Sequence, residues 1–365
     1  MENRKIRVAI THGDTNGVGY EVIFKAFEDL GMLELCTPII YGAPKVVAYH
    51  GKVLGMEPQL SVINKAEDAV DGKVNLVAVI EDEVKVNLGE PTVEAGEAAR
   101  KAINRAMEDY QKGLFDVLVT APVHKNVIEG FQGHTNYMER VLNDGSHGLT
   151  ILCDDAIRVA LVTNNVSLKD VAESLTKQKI VDKAKLLHQA LRRDLRISSP
   201  RIAVLALNPR CGEDGVLGDE EHDIIKPAVD ELMEADIQAF GPYAADDFFG
   251  RHDYMRFDAV LAMYHDQGQT PFKALASDNG VRLTTGLPLV RTAPAHGPQF
   301  YQAGHGKGDA TSLRNAIYLA IDVWRNRQEY DRPYANPLPK LYHEKRDDSE
   351  KVRFKKQITP PPAEA

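Results

Sequence analysis

Cysteine is scarce in this chain of 365 residues: only Cys36, Cys153 and Cys211 occur. They are too few and too scattered for a disulfide framework or a Cys-x-x-Cys zinc site, and such usage is typical of a reducing compartment. Positive charge is not in excess either. Lys and Arg number 44 against 53 Asp and Glu, a formal charge of −9. That balance argues against nucleic acid or an anionic membrane as the main partner, but leaves room for a small anion held by local charge. No stretch approaches the roughly 20 apolar residues of a membrane span. The opening MENRKIRVAITHGD holds only a short apolar run, which predicts no secretory leader and a cytoplasmic location. No internal repeat is visible.

What is present is ordinary globular material, 43% hydrophobic and 27% charged. The length suits two domains or one large α/β unit. Val/Ile/Leu-rich runs at residues 6–10, 38–41, 74–79, 115–120, 201–207 and 259–263 read as buried strands. Helix-period segments at 20–30, 44–54, 92–112, 137–142, 168–174, 180–195, 219–235 and 311–330 alternate with them. This alternation predicts a mainly parallel sheet with helices on both faces. Runs at 148–152 and 157–163, joined by CDDA, predict a hairpin and so an antiparallel interruption. The polar, Pro-rich residues 333–365 predict a loose tail.

The stretch FDAVLAMYHDQGQTPFKAL, residues 257–275, organises the rest. Its apolar run stops abruptly at Tyr264, His265, Asp266 and Gln267, and ligands of open α/β sheets bind outside strand carboxyl ends. Lys273 follows, a point charge suited to a carboxylate or phosphate. The competing reading is a polar turn containing a helix cap. THGDTNGVGYE is neither a dinucleotide fingerprint nor a Walker loop. It is either an anion cradle at a helix start or a tight connection with Asp14 as cap. GHTN, residues 133–136, either caps a helix or presents His134 and Thr135 to a ligand. Cys211 beside Arg210 could be a nucleophile with thiolate favoured by the guanidinium, yet no partner base is fixed by the sequence.

In order, THGDTNGVGYE, VTAPVHKN, FQGHTNYM, LNPRCGEDG, FDAVLAMYHDQG, PFKAL and GLPLVRTAPAHG resemble the 4-hydroxythreonine-4-phosphate dehydrogenase family of pyridoxal phosphate biosynthesis. The resemblance implies a two-domain α/β/α subunit related to isopropylmalate and isocitrate dehydrogenases, with mostly parallel sheets and an antiparallel hairpin. Residues 1–123 plus 285–332 would form a nucleotide-side domain and 124–284 a substrate and dimerisation domain. It further implies a homodimer with a cleft completed across the interface, NAD or NADP as cofactor, and a divalent metal (zinc, magnesium or cobalt) on the substrate hydroxyl. The implied reaction oxidises and decarboxylates 4-(phosphooxy)-L-threonine to 3-amino-2-oxopropyl phosphate, toward pyridoxine 5'-phosphate. His134 and Thr135 stand at the family's substrate-binding pair, and Lys273 and Arg291 at its basic substrate contacts. His265 stands at one of three histidine metal-ligand positions; His265 and Lys273 are the catalytic candidates. Asp246 or Asp247 falls near an acidic position, and His296 and Gly297 fall in the segment bordering the nucleotide.

Several positions depart from the family. Asn165 and Arg210 stand at the other two metal positions. Arginine has only donors, and one histidine with one amide is a poor grip beside the usual three or four protein ligands. Arg282 replaces an asparagine among the substrate contacts. Pro298 and Tyr301 replace a threonine and an acid beside the nucleotide, the proline removing a backbone donor. The main expectation is the dehydrogenase, in one variant with Arg210 supplying the metal's charge. The alternatives are a related dehydrogenase acting on another phosphorylated acid, or a paralogue that binds such an acid without turnover.

Overall fold

The computed structural model describes residues 4–80, 84–128, 130–131, 133–276 and 279–336. The predicted tail from 337 onward lies outside the described residues. The first part of the chain forms β1 (Ile6–Thr11), α1 (Gly19–Ala26), α2 (Met32–Leu35), β2 (Cys36–Gly42), α3 (Pro44–Leu54), β3 (Leu60–Ile63), β4 (Val74–Ala78), α4 (Val93–Gln111) and β5 (Val117–Thr120). There follow α5 (His134–Leu142), β6 (Leu149–Cys153), β7 (Arg158–Leu161), α6 (Val171–Ser174), α7 (Lys177–Arg193), β8 (Ile202–Leu205), α8 (Lys226–Glu234), β9 (Ala239–Tyr243) and α9 (Ala245–Gly250). The last part forms β10 (Ala259–Ala262), α10 (His265–Ala276), β11 (Val281–Thr285), β12 (Val290–Pro294) and α11 (Thr311–Asp331).

All twelve strands join one sheet in the order β3-β4-β2-β1-β5-β12-β11-β6-β7-β10-β8-β9. From β3 to β12 neighbours are parallel. The pairings β12–β11, β11–β6 and β6–β7 are antiparallel. From β7 to β9 neighbours are parallel again. The two outer parts therefore run in opposite directions, and a four-strand antiparallel seam reconciles them. The predicted interruption at β6–β7 is present, and it is half of that seam.

Strands in the parallel parts are buried on both faces, as their unbroken apolar runs require: β2, β5, β8 and β10 have no exposed residue. Helix starts follow local chemistry. Thr92 and Thr176 accept from the backbone N–H of Ala95 and Lys179, capping α4 and α7. Pro44 opens α3, where its missing N–H costs nothing. Two elements differ from the sequence reading. The segment after β10 is the helix α10, not a turn, and it carries Pro271 inside it. Strands β3, β9, β11 and β12 have no clear apolar run. β9 contains Gly241 and Pro242, which an edge strand tolerates.

A buried ion pair ties the frame to the seam. Arg327 of α11 grips Asp194, just past α7, with two bonds (Nε to Oδ1 2.8 Å, Nη2 to Oδ2 2.9 Å). The Thr285 hydroxyl donates to Asp194 at 2.6 Å, and Arg327 Nη1 donates to the carbonyls of Leu287 and Pro288. One charge pair thus fixes α7, α11 and the turn between β11 and β12. Asp194→Ala strands the guanidinium in the interior and is expected to cost about 3–5 kcal/mol, read as a fall in the urea unfolding midpoint. The paired change Asp194→Leu with Arg327→Met should cost far less, and equal losses would contradict the ion-pair account.

His12, at the end of β1, is completely buried and stacked on Tyr20, ring centroids 5.1 Å apart. Burial pushes its pKa down to about 4, and burial also lowers that of His50, which packs against Tyr20. The unfolded chain therefore binds more protons between about pH 6.5 and 4. Stability is complete above that window and declines as pH falls through it, by about 3 kcal/mol from His12. His12→Phe, which keeps a stacked ring without a proton site, should flatten this limb when unfolding free energy is measured against pH.

Candidate active site

The antiparallel seam carries the site on its face rather than at strand ends. Register sets Arg282 beside Leu152 and Ala293, and Thr284 beside Thr150 and Arg291. Because side chains alternate along a strand, Arg282 and Thr284 share one face. A cavity of ≈ 90 Å³ opens there. It is lined by His134, Thr135 and Asn136 at the start of α5, Thr150 and Leu152 of β6, and Leu161, Asn164 and Asn165 at the end of β7. Gln269 of α10, Arg282 of β11 and Arg291 of β12 complete it.

Arg291 is only 5% exposed. Its Nε donates to Thr120 Oγ1 at 3.0 Å and its Nη1 to Thr284 Oγ1 at 3.3 Å. Arg282 Nη2 donates to the Ala295 carbonyl at 3.1 Å, while its Nε is buried without a hydrogen-bond partner. No carboxylate pairs with either guanidinium among the described residues. Burial, and then the neighbouring charge of Arg282, pushes the Arg291 pKa down to about 9; burial lowers that of Arg282. Two buried like charges with only neutral partners are costly unless an anion joins them. Their planar forks match the oxygens of a carboxylate or phosphate.

The start of α5 settles two open readings. Gly133 is the cap residue, at φ 121°, a conformation glycine supplies and side chains resist, and no side chain caps the helix. Thr135 instead contacts Thr150 Oγ1 at 3.1 Å and Thr284 Oγ1 at 3.4 Å, facing the cavity beside His134. In the glycine-rich loop after β1 four backbone N–H groups are taken up inside the protein: Asp14 on Pro122, Asn16 and Gly17 on Asp14, and Val18 on the Pro298 carbonyl. Asp14 caps the turn, not the helix. A side chain at Gly17 would meet Pro298 O at 2.7 Å, so glycine is required for that loop to dock.

The remaining candidates are dispersed. His265, Gln269 and Lys273 are spaced four apart on α10, so they share one side of the helix. Gln269 lines the cavity; His265 and Lys273 flank it one turn away, exposed, and are not among its lining residues. His265 Nδ1 lies 2.7 Å from Asp266 Oδ1. Arg210 is exposed and bonds Glu213 at 2.7 Å. Cys211 bonds the Pro242 carbonyl, and burial, aided by nearby acids, pushes its thiol pKa up, which disfavours a thiolate nucleophile. Asp246 and Asp247 are exposed on α9, outside the cavity. His296 and Gly297 lie in the exposed loop that docks, through Pro298, on Val18. Thr120, Thr150, Thr284 and Gln269 are not singled out by the sequence: Thr284 had only the alternation within β11 as a signal, and the others, on β5, β6 and α10, had none.

The residues do not fit a divalent metal. No three His, Cys, Asp or Glu side chains converge among the described residues, and Asn165 shares its cavity with two guanidiniums. Other buried polar groups lie outside this cavity. Thr11 Oγ1, Thr15 Oγ1 and His124 Nδ1 are buried without hydrogen-bond partners near the ends of β1 and β5. Thr11 is the register neighbour of Thr120, whose hydroxyl accepts from Arg291.

Comparison with known proteins agrees with this architecture. A family model described as "Pyridoxal phosphate biosynthetic protein PdxA" matches residues 34–320. The chain is 52% identical to a 4-hydroxythreonine-4-phosphate dehydrogenase of Bacteroides thetaiotaomicron over 358 residues, covering 97% of this chain and 98% of that one. It is 35% identical to the protein of that name from Sulfurihydrogenibium sp., covering 88% and 100%. Among solved structures, the Klebsiella pneumoniae protein of the same name superposes with a TM-score of 0.73 at 28% identity, over 88% of this chain and 99% of that one. The Burkholderia phymatum protein gives 0.68 at 32% identity, over 88% and 99%. With matches of this extent over the same seam-centred α/β fold, the chain belongs to the PdxA family of pyridoxal phosphate biosynthetic proteins.

Proposed function

We propose that this protein catalyses the NAD(P)-dependent oxidation and decarboxylation of 4-(phosphooxy)-L-threonine to 3-amino-2-oxopropyl phosphate, in the formation of pyridoxine 5'-phosphate. The observation that carries this reading is a pair of guanidiniums without a carboxylate partner among the described residues, buried Arg291 and half-buried Arg282, lining a cavity shared with His134 and Thr135. A substrate with an anion at each end suits such a site and the flanking Lys273. Curated relatives named for this dehydrogenase at 52% and 35% identity favour turnover over the binding-only alternative.

The chemistry divides among the residues as follows. Arg282, Arg291, His134 and Thr135 hold one anionic end and Lys273 approaches the other. Thr11, Thr15, His124 and the His296–Gly297 segment would hold the nicotinamide nucleotide, whose chemistry would be to take the hydride from C3. His265, oriented by Asp266, takes the C3 hydroxyl proton. The resulting β-keto acid breaks its C1–C2 bond, releasing carbon dioxide and leaving the electron pair in an enolate. Fixed guanidinium charge stabilises that enolate without reorganising, and C2 is then protonated. No step here is routed through a metal.

Two assembly features belong to the same proposal. The division into 1–123 plus 285–332 and 124–284 is supported by sheet order, since β3 to β12 come from the first set and, but for Thr285, β11 to β9 from the second. A homodimer completing the cleft is supported by Val166, Leu168, Val216 and Leu217, apolar and exposed close in sequence to Asn165 and Arg210. As for location, no helix of the described residues is long and apolar enough to cross a membrane.

The test is direct. Purified protein with 4-(phosphooxy)-L-threonine and NAD or NADP should form reduced nicotinamide. Arg291→Met should lower kcat/KM on the order of 100-fold, the size of a lost buried charge-assisted contact of about 3 kcal/mol. Binding of the phosphate ester with no turnover on either nucleotide would instead establish the binding-only alternative.

A further inference from the structure

We propose that this enzyme needs no divalent metal in its substrate cavity, because the Arg282 guanidinium supplies the positive charge at the reacting end of the substrate. The inference rests on the dehydrogenase reading for its chemistry, and on the cavity alone for its electrostatics.

Among the described residues of one protomer, the cavity is lined by two guanidiniums and no carboxylate or thiolate. Its other polar groups are hydroxyls, carboxamides and the His134 ring. A divalent cation placed there would meet two positive charges at short range with only neutral ligands to offset them. Protein sites for zinc rely on thiolate, imidazole and carboxylate, and those for magnesium on carboxylates with water. This donor set is the reverse, suited to anions.

The two arginines are not equivalent. Arg291 directs its N–H groups at Thr120 and Thr284, which lock it to β5 and β11. Among the described residues Arg282 makes one hydrogen bond, from Nη2 to Ala295, and its buried Nε has no partner. A buried donor left open is costly unless a ligand completes it. Arg291 is therefore the anchored charge and Arg282 the ligand-facing one. From that place a guanidinium donates to a carboxylate in the ground state and to the enolate oxygen after carbon dioxide leaves. It polarises less strongly than a metal, but it is fixed and desolvated, where charge acts most. Asn165, on the same cavity wall, is neutral and adds no ligand charge.

The experiment uses the full chain, dialysed against EDTA. Metal content is measured by mass spectrometry, 4-(phosphooxy)-L-threonine binding by calorimetry, and reduced nicotinamide formation by absorbance, each with and without added zinc or magnesium. The proposal expects less than about 0.1 metal ion per protomer. It also expects affinity and rate indifferent to chelation, and Arg282→Asn weakening binding by about tenfold or more without rescue by either metal. Arg282→Lys should keep part of the affinity. Loss of binding or turnover in EDTA with recovery on adding metal would overturn the proposal, as would wild-type affinity in Arg282→Asn. Should Arg282→Asn fail to fold by circular dichroism, Arg282→Lys and the chelation series decide. Arg282-dependent, metal-free binding without turnover would remove the dehydrogenase reading and leave this charge assignment standing.

Discussion

Two neighbouring positive charges, Arg291 buried and Arg282 half-buried, with no counter-charge among the described residues, set the terms for this molecule. Arg282 and Arg291 lie on adjacent antiparallel strands, and their pKa values are depressed by burial and, for Arg291, by mutual repulsion. Left alone, such a pair would relax toward water or force the strands apart. It persists because hydroxyls of Thr120 and Thr284 take Arg291, the Ala295 carbonyl takes Arg282, and the surrounding sheet cannot yield. The residual cost is what an anionic ligand recovers on binding.

The architecture shows where such rigidity comes from. Parallel blocks of opposite direction flank the seam, each buried on both faces by helices, so the seam strands cannot slip without carrying a whole block. Arg327 and Asp194 pin the turn between β11 and β12 from behind. That pair is a fully compensated buried charge; the cavity pair is not. The contrast separates a structural arginine from a binding one, since both kinds are buried on neighbouring elements.

The glycine-rich loop illustrates how packing decides among readings that sequence leaves open. As a string, THGDTNGVGYE has the composition of a phosphate cradle. In the folded chain the neighbouring loop around Pro298 takes the Val18 donor, and Asp14 and Pro122 account for others. The hydroxyls of Thr11 and Thr15 there are buried without a hydrogen-bond partner among the described residues. Similarly, Thr135 at a helix start reads first as a cap, and only the path of the chain through Gly133 turns it to the cavity instead.

Much of the frame was readable because burial writes itself into composition. Strands covered on both faces must be apolar throughout, so β1, β2, β4, β5, β8 and β10 stood out as runs, and α3 and α4 announced their ends with proline, threonine and glycine. Motif order was also enough to mark His134, Thr135, Lys273, Arg282 and Arg291 as a group, of which the cavity gathers all but Lys273. β11 and β12 escaped because strands that line a site alternate polar with apolar side chains, and α10 escaped because its polar first turn and Pro271 resemble a loop. The sequence by itself therefore determined the α/β class, the helical and strand frame and the identity of the charged residues. Which of those charges meet, which are neutralised and which stay open to a ligand was decided only in three dimensions. Compensation of a buried charge depends on neighbours brought together by strand register, from positions as far apart as 120 and 291.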